Sequence, residues 1–237
     1  METGESILSN GAANGKYRLA KLHSGLIADV LDGFGTWGAL DPSILCVTKH
    51  CTKVLARAFT VRWRPTRKSH YVLASQDSTW NQVKDFLIPE KPVGTGLIYT
   101  GGVEGGLLRN FALAGGFSAT EMQMRGFEAM ILGGAIRDAH VVKHLDMPVW
   151  ATNFTPMDTQ GNYQVAEIGT WTPIGGVNIR TGDWLFADET GVLVIPQDIA
   201  DDVLCKAMDL AGTEDEIDRR ASSGEGVFDI VADIGHL

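Results

Sequence analysis

Two short stretches of the chain carry residues that could bind a small anion and act on it. Gly115 and Gly116 stand just ahead of Ser118-Ala-Thr-Glu121, a capping-box pattern in which a hydroxyl and a carboxylate satisfy amides left unpaired where a helix begins. The spacing predicts a helix from Ser118 to near Gly126, and the glycine turn before it would offer free amides and the positive end of a helix dipole. Further on, the apolar run Ala129–Leu132 reads as a strand buried on both faces, and it leads through Gly133 and Gly134 to Arg137 and Asp138. Open α/β sheets place ligands beyond the carboxyl ends of their strands. There a guanidinium can grip a carboxylate with two parallel hydrogen bonds, and a carboxylate can hold a hard cation. A third group, Gly101, Gly102, Gly105 and Gly106, follows a predicted strand at 96–100. The three glycine turns are expected to converge around Arg137 and Asp138 and outline a small-anion pocket. Each signal has a bland counterpart, since paired glycines are often plain turns and adjacent Arg and Asp often form a surface pair.

The elements that must position these residues follow from periodicity. Apolar residues Leu22, Leu26, Ile27, Val30 and Leu31 recur at helical spacing over 19–31, with Gly33 and Gly35 as stops. The stretch 54–63 alternates and is rich in branched and aromatic residues, which predicts a strand. Residues 64–94 read as a basic loop followed by a helix capped at Ser78 or Thr79. After the central run come a short helix in AHVVKHL, a strand in MPVWATNF and a variable segment at 156–172. A strand in GGVNI is next, then a hairpin in TGDWLFADETGVLVIP with its turn at 189–191, and an amphipathic helix over 199–220 ahead of a glycine-containing tail. Strands alternate with helices in the middle and then follow one another, so the fold class is α/β with a mixed sheet. Residues 1–15 read as a flexible polar tail before a single domain over 16–237.

Composition narrows the function classes. With 29 Asp and Glu against 20 Lys and Arg, the formal charge of −9 argues against nucleic acid as a partner, because that affinity rests on neutralising phosphates. Apolar residues make up 44% of the 237, enough for a packed core, and 28 glycines are an excess that no collagen-like period explains. Cys46, Cys51 and Cys205 form no C-x-x-C pair and are expected as reduced, buried thiols. No basic segment followed by an apolar run opens the sequence, and no stretch approaches a membrane span, so a cytoplasmic protein without a membrane partner is expected.

The run EGGLLRNFALAGGFSATEMQMRGFEAMILGGAIRDAHVVKHLDMPVWA resembles the core of the RraA-like superfamily, which includes class II pyruvate aldolases acting on 4-hydroxy-4-methyl-2-oxoglutarate and 4-carboxy-4-hydroxy-2-oxoadipate. IADVLDGFG is similar to the family's early helix and FADETGVLVIP to its late hairpin, so the resemblance spans about residues 19–220. It implies a swivelling β/β/α fold, a homotrimer or homohexamer with active sites between subunits, and a small 2-oxo acid as substrate. It further implies that Arg137 binds the carboxylate and oxo group of a pyruvyl unit and that Asp138 holds Mg²⁺ or Mn²⁺. The amides of Gly115, Gly116, Phe117 and Ser118 would receive the same carboxylate. On this reading the ion and Arg137 stabilise a pyruvate enolate in a metal-dependent lyase reaction, either retro-aldol cleavage at C3–C4 or decarboxylation of oxaloacetate. A glutamate from a neighbouring subunit's last helix would order the ion's waters, with Glu216 ahead of Glu214.

Two departures qualify the resemblance. Gly116 stands where the bacterial aldolases carry an Asp, and Val141 stands where the glycine-type members carry an acid. The supporting acid would then come from His140, Glu104, Asp77 or the 64–94 segment. His140 and His144 are four apart, a spacing that could seat two imidazoles on one metal or simply two half-exposed helix residues. Arg62, Arg64, Arg67 and Lys68 read first as a solvated loop, then as a clamp for a second carboxylate, and last as a nucleic-acid contact. Trp80, Trp150, Trp171 and Trp184 read as packing anchors, and Asp188 and Glu189 as a structural turn. The alternatives to the aldolase-like lyase are a lyase or isomerase reshaped for a specialised pathway and a non-catalytic ring protein that regulates a ribonuclease.

Overall fold

The computed structural model describes residues 19–66, 81 and 94–235. The expected tail at 1–15, most of the 64–94 segment, and Arg67, Lys68, Asp77 and Trp80 lie outside the described residues. The chain divides into two compact units, one formed by residues 1–37 with 196–237 and the other by residues 38–195. No helix among the described residues is long and apolar enough to cross a membrane.

The first unit is helical. The helix predicted over 19–31 is broken at 22–23: residues 19–21 are helical, and α1 (Ser24–Gly33) begins afresh where the His23 ring turns back to accept the Leu26 amide at 3.2 Å as its cap. Leu26, Ile27, Val30 and Leu31 are buried on one face, and α1 packs against the long α4 (Ala200–Ser222), which buries Val203, Leu204, Ala207 and Ala211. The sequence reading left the residues after 220 as a tail, but they form α5 (Val227–Ile234). Eight residues are too few for a stable isolated helix. Arg220 supplies the tertiary anchor by reaching Asp233 at 2.8 Å while also binding Glu225. The cysteines depart from expectation as well: Cys46 and Cys51 are only half-buried, at the border of a core, and Cys205 is exposed on α4, off its buried stripe.

The second unit is built on a mixed sheet, as the alternation of elements implied. It comprises β1 (Leu45–Cys46), β2 (Val54–Pro65), β3 (Leu97–Val103), β5 (Ala129–Leu132), β7 (Val149–Ala151), β8 (Tyr163–Ile168), β11 (Trp184–Ala187) and β12 (Val192–Ile195). The path runs β1-β7-β5-β3-β2-β11-β12, with β8 also pairing β2. The β2, β3, β5 and β7 pairings are parallel, whereas β1, β8, β11 and β12 add antiparallel edges. The predicted hairpin is β11–β12, and Asp188 in its turn accepts the Thr190 amide at 2.9 Å. A parallel pair, β4 (Leu108–Ala114) with β6 (Gly134–Ile136), and a hairpin, β9 (Trp171–Ile174) with β10 (Val177–Arg180), lie off this sheet.

Period-two alternation divides the apolar residues of the central strands between two cores. Tyr99, Met130, Leu132, Val149 and Ala151 enter one, together with Trp63, Leu113 and Met122, and Ile98, Ala129, Ile131 and Trp150 enter the other. Trp150 is the anchor its type suggested, donating from Nε1 to the Asp188 carbonyl at 3.1 Å. The two other described tryptophans singled out above lie under cations, Trp171 beneath Arg62 and Trp184 beneath Arg57.

The glycine turns need correction. Gly101 and Gly102 lie inside β3, and Gly134 opens β6, so only Gly105 and Gly106, at φ of 96° and 116°, make the expected permissive turn of that group. The central glycines serve close packing: a Cβ on Gly102 would lie 2.2 Å from the Pro173 carbonyl oxygen and 2.4 Å from Thr172 Oγ1. Gly102→Ala should therefore destabilise the second unit by about 1–3 kcal/mol, read as a lower urea midpoint at unchanged slope.

Candidate functional site

The site forms where β4 and β6 end side by side. The ladder continues past β6, with the Arg137 amide donating to the Ala114 carbonyl at 3.1 Å, so α2 (Gly116–Met124) begins just where Arg137 and Asp138 emerge. Gly115 is the N-cap of α2, one turn earlier than the capping-box pattern placed it. Ser118 occupies the third helical position, and its Oγ accepts the Gly115 amide at 2.9 Å, while Glu121 pairs with Arg125 at 2.8 Å. The earlier start follows from fit: a Cβ on Gly115 would lie 2.7 Å from Asp138 Oδ2 and 2.9 Å from Arg137 Nε. Only glycine lets this backbone pass so close.

Asp138 is the one non-glycine residue with positive φ among the described residues, at 61°. Such a conformation costs on the order of 1–3 kcal/mol and persists where its surroundings hold it. Here Oδ2 accepts the Gly116 amide at 2.8 Å, and the Asp138 carbonyl accepts the Val141 and Val142 amides at 2.9 and 3.0 Å, starting α3 (Ala139–Val142). Arg137 lies between two carboxylates, its Nε 3.6 Å from Asp138 Oδ2 and its Nη1 3.1 Å from Asp158 Oδ2.

Asp158 escaped the sequence reading. It lies in the variable 156–172 segment, where no periodicity or motif marks it. The structure brings it to Arg137 because the chain after β7 runs beside β6 and β4: Ile136 donates to Asn153, Thr155 to Ile136, and Ala112 to Met157 at 2.7 Å. A bridge pairs Ala112 with Asp158 and aims the carboxylate at the guanidinium.

Arg137 and Asp138 line two cavities. One, of about 360 Å³, is walled by Trp63, Tyr99, Leu113 and Met122 and closed by Gly115, Phe117, Ser118 and Asp158. The other, of about 590 Å³, is bordered by Gly116, Phe117, Glu121, His140 and Val141. Gly115 and Gly116 have already directed their amides at Ser118 and Asp138, and among the described residues the amides of Phe117 and Ser118 have no acceptor. These two remain for an anion at the first turn of α2.

The remaining candidates are dispersed. His144 commits both ring nitrogens, one to Lys49 Nζ at 2.7 Å and the other to the His140 carbonyl at 3.1 Å. Glu104 binds Arg62, which also meets Glu167 at 2.6 Å, so this member of the basic cluster is neutralised. Glu216 and Glu214 belong to the helical unit: Glu214 bonds His23 at 2.8 Å, and Arg219 beside Glu216 holds that carboxyl below the usual carboxylate range.

Asp138 suits a particular kind of cation. Its Oδ2 is occupied, its Oδ1 has no partner among the described residues, and no group of three His, Cys, Asp or Glu that could hold a metal occurs among them. One anchored carboxylate with room for water fits Mg²⁺ or Mn²⁺, which retain several waters, and does not fit the closed N/S cage of zinc.

A family model described as RraA-like, Aldolase/RraA, matches residues 27–194. A protein of Azotobacter vinelandii provisionally named 4-hydroxy-4-methyl-2-oxoglutarate aldolase is 36% identical over 93 residues, covering 39% of this chain and 56% of its own length. A similarly named protein of Hahella chejuensis is 32% identical over 98 residues, covering 41% of this chain and 59% of its own length. The match thus spans a little more than half of these curated relatives. Among solved structures, an uncharacterized Pseudomonas syringae protein superposes at a TM-score of 0.73 and 22% identity, covering 91% of this chain and 96% of its own. RraAS2 of Streptomyces coelicolor, an unusual member of the RNase ES inhibitor RraA family, does so at 0.70 and 22%, covering 86% and 96%. These likenesses establish the fold.

The glycine at 116 is tied to the valine at 141, because a Cβ on Gly116 would lie 3.0 Å from Val141 Cβ and 3.1 Å from Asp138 Cβ. Gly116→Ala should cost about 1–3 kcal/mol in chemical denaturation, and adding Val141→Ala should recover a measurable part of it. Strict additivity of the two would show that they do not share this space.

Proposed function

Because the chain belongs to the RraA-like family, described as Aldolase/RraA, we propose that it is a divalent-metal-dependent carbon–carbon lyase acting on a 2-oxo acid. The observation that carries this reading is Arg137 fixed between two carboxylates beside the first turn of α2, with Asp138 held in a strained conformation next to it. The names of the curated relatives support the same class.

In this reading the guanidinium of Arg137 and the amides of Phe117 and Ser118 bind the carboxylate and oxo group of the pyruvyl unit. When C3–C4 breaks, the electron pair moves onto C3 and the C2 oxygen, giving a pyruvate enolate, and the 4-hydroxyl loses its proton as the new carbonyl leaves. Arg137 balances the charge that grows on the C2 oxygen, and C3 then takes up a proton. Decarboxylation of oxaloacetate follows the same electron movement with carbon dioxide as the departing group. Asp138 would hold Mg²⁺ or Mn²⁺, which supplies Lewis acidity at the 2-oxo group. Asp158 keeps the guanidinium turned toward the cavity, and Gly116 lets Asp138 reach its amide.

The test is pyruvate release from 4-hydroxy-2-oxo acids and from oxaloacetate, with Mg²⁺ or Mn²⁺ and after chelation. Activity should vanish on chelation and return with the ion. Asp138→Ala should lower kcat at least about a hundredfold, and Asp138→Asn, whose side-chain oxygen can still accept the Gly116 amide, should do so with the melting temperature kept within a few degrees. Arg137→Lys should mainly raise KM, about tenfold or more, because a point charge cannot reproduce the planar fork. Equal turnover by Asp138→Ala would end the reading.

A further inference from the structure

The wall of the 360 Å³ cavity carries information about the rest of the substrate. We propose that it selects 2-oxo acids whose substituent beyond the pyruvyl unit is uncharged and apolar, a branched aliphatic or aryl group, over those bearing a second carboxylate. This rests on the 2-oxo-acid reading above and deepens it: of the two reactions proposed there it favours retro-aldol cleavage over decarboxylation of oxaloacetate, which carries a second carboxylate.

Charge is the first argument. Among the described lining residues Arg137 is the one cation, and it already faces Asp138 and Asp158. A divalent ion on Asp138 would leave the cavity able to balance one carboxylate, and a second would lie near Asp158 without a partner. Two other described cations, Arg62 and Arg109, are committed elsewhere. Arg62 is bound by Glu104 and Glu167 beneath Trp171, and Arg109 is bonded to Ser43 at 2.6 Å with Asp41 close by. An unpaired carboxylate in a partly desolvated cavity is disfavoured, whereas an apolar group gains by entering.

The second argument is the wall itself. Beyond Arg137, the two aspartates, Gly115, Phe117, Ser118 and Thr159, it is formed by Trp63, Tyr99, Ala112, Leu113, Ala114 and Met122, all of them buried and five of them carrying no ionisable group. These residues belong to β2, β3, β4 and α2, and all but Ala112 pack as part of one core, so the wall cannot turn a charge inward without disrupting it. Burial pushes the Tyr99 hydroxyl up, which keeps it neutral at every physiological pH. Each methylene moved from water to such a wall should strengthen binding about fourfold.

Binding separates this inference from the reading it rests on. The full chain with Mg²⁺ would be titrated calorimetrically with pyruvate, 4-methyl-2-oxopentanoate, phenylpyruvate and 2-oxoglutarate, none of which needs to turn over. The expected result is that one of the two apolar acids binds at least tenfold more tightly than 2-oxoglutarate, and that Asp158→Asn narrows the gap by improving 2-oxoglutarate. If pyruvate binds but 2-oxoglutarate binds as tightly as the apolar acids or more so, the substituent inference is wrong and the 2-oxo-acid site stands. If none of the four binds with or without Mg²⁺, both fall together.

Discussion

The hydrogen bond from the Gly116 amide to Asp138 Oδ2 ties the start of α2 to the end of β6, and the arrangement of the site depends on it. It compensates a left-handed backbone at Asp138, consumes the Gly116 amide, and leaves the other carboxylate oxygen without a partner among the described residues. The same approach explains why Gly115 and Gly116 are glycines. At both positions a side chain would occupy space that Arg137, Asp138 or Val141 already fills. In this chain the absence of an acid at 116 goes together with the presence of valine at 141, as two halves of one packing arrangement.

The sheet that carries this junction faces a core on each side, and one of those cores is continuous with the cavity. Trp63, Tyr99, Leu113 and Met122 stabilise the second unit and also form the wall a ligand would meet. Binding surface and folding core are here the same side chains, so a change of substrate preference cannot be made at the wall without a cost in stability. Variation is easier at the rim, where Phe117 is 91% exposed and Asp158 is about a third exposed.

Legibility differed between residues for physical reasons. Arg137 and Asp138 were visible because an apolar stretch leads to them, although the strand they end is the short β6 of the β4–β6 pair and not β5, where the run Ala129–Leu132 lies. The capping-box pattern marked the right turn but misplaced its cap. Ser118 does bond the Gly115 amide, as a third-position residue reaching back, and a glycine N-cap leaves no side chain in the pattern to announce itself. The glycine pairs misled in a different way. Gly101, Gly102 and Gly134 looked like turns, yet they are strand residues whose missing Cβ makes room for a neighbouring backbone or side chain. Helix α5 was missed because what holds it lies outside its eight residues: Ile230 is buried by tertiary packing, and Arg220 reaches Asp233 from α4.

What the amino-acid sequence determined by itself was local: the alternation of strands and helices, the hairpin at the end of the sheet, the acidic balance, and the neighbourhood of a glycine turn at a helix start and an Arg-Asp pair. These follow from periodicity and capping, which act over a few residues. The tertiary structure decided what stands opposite what. It brought Asp158 from an unpatterned loop to Arg137, bound Glu104 to Arg62, and turned His144 toward Lys49. It also surrounded the site with an apolar wall drawn from four separate elements. Such encounters depend on strand order and register, which nonlocal burial settles and no short spacing encodes.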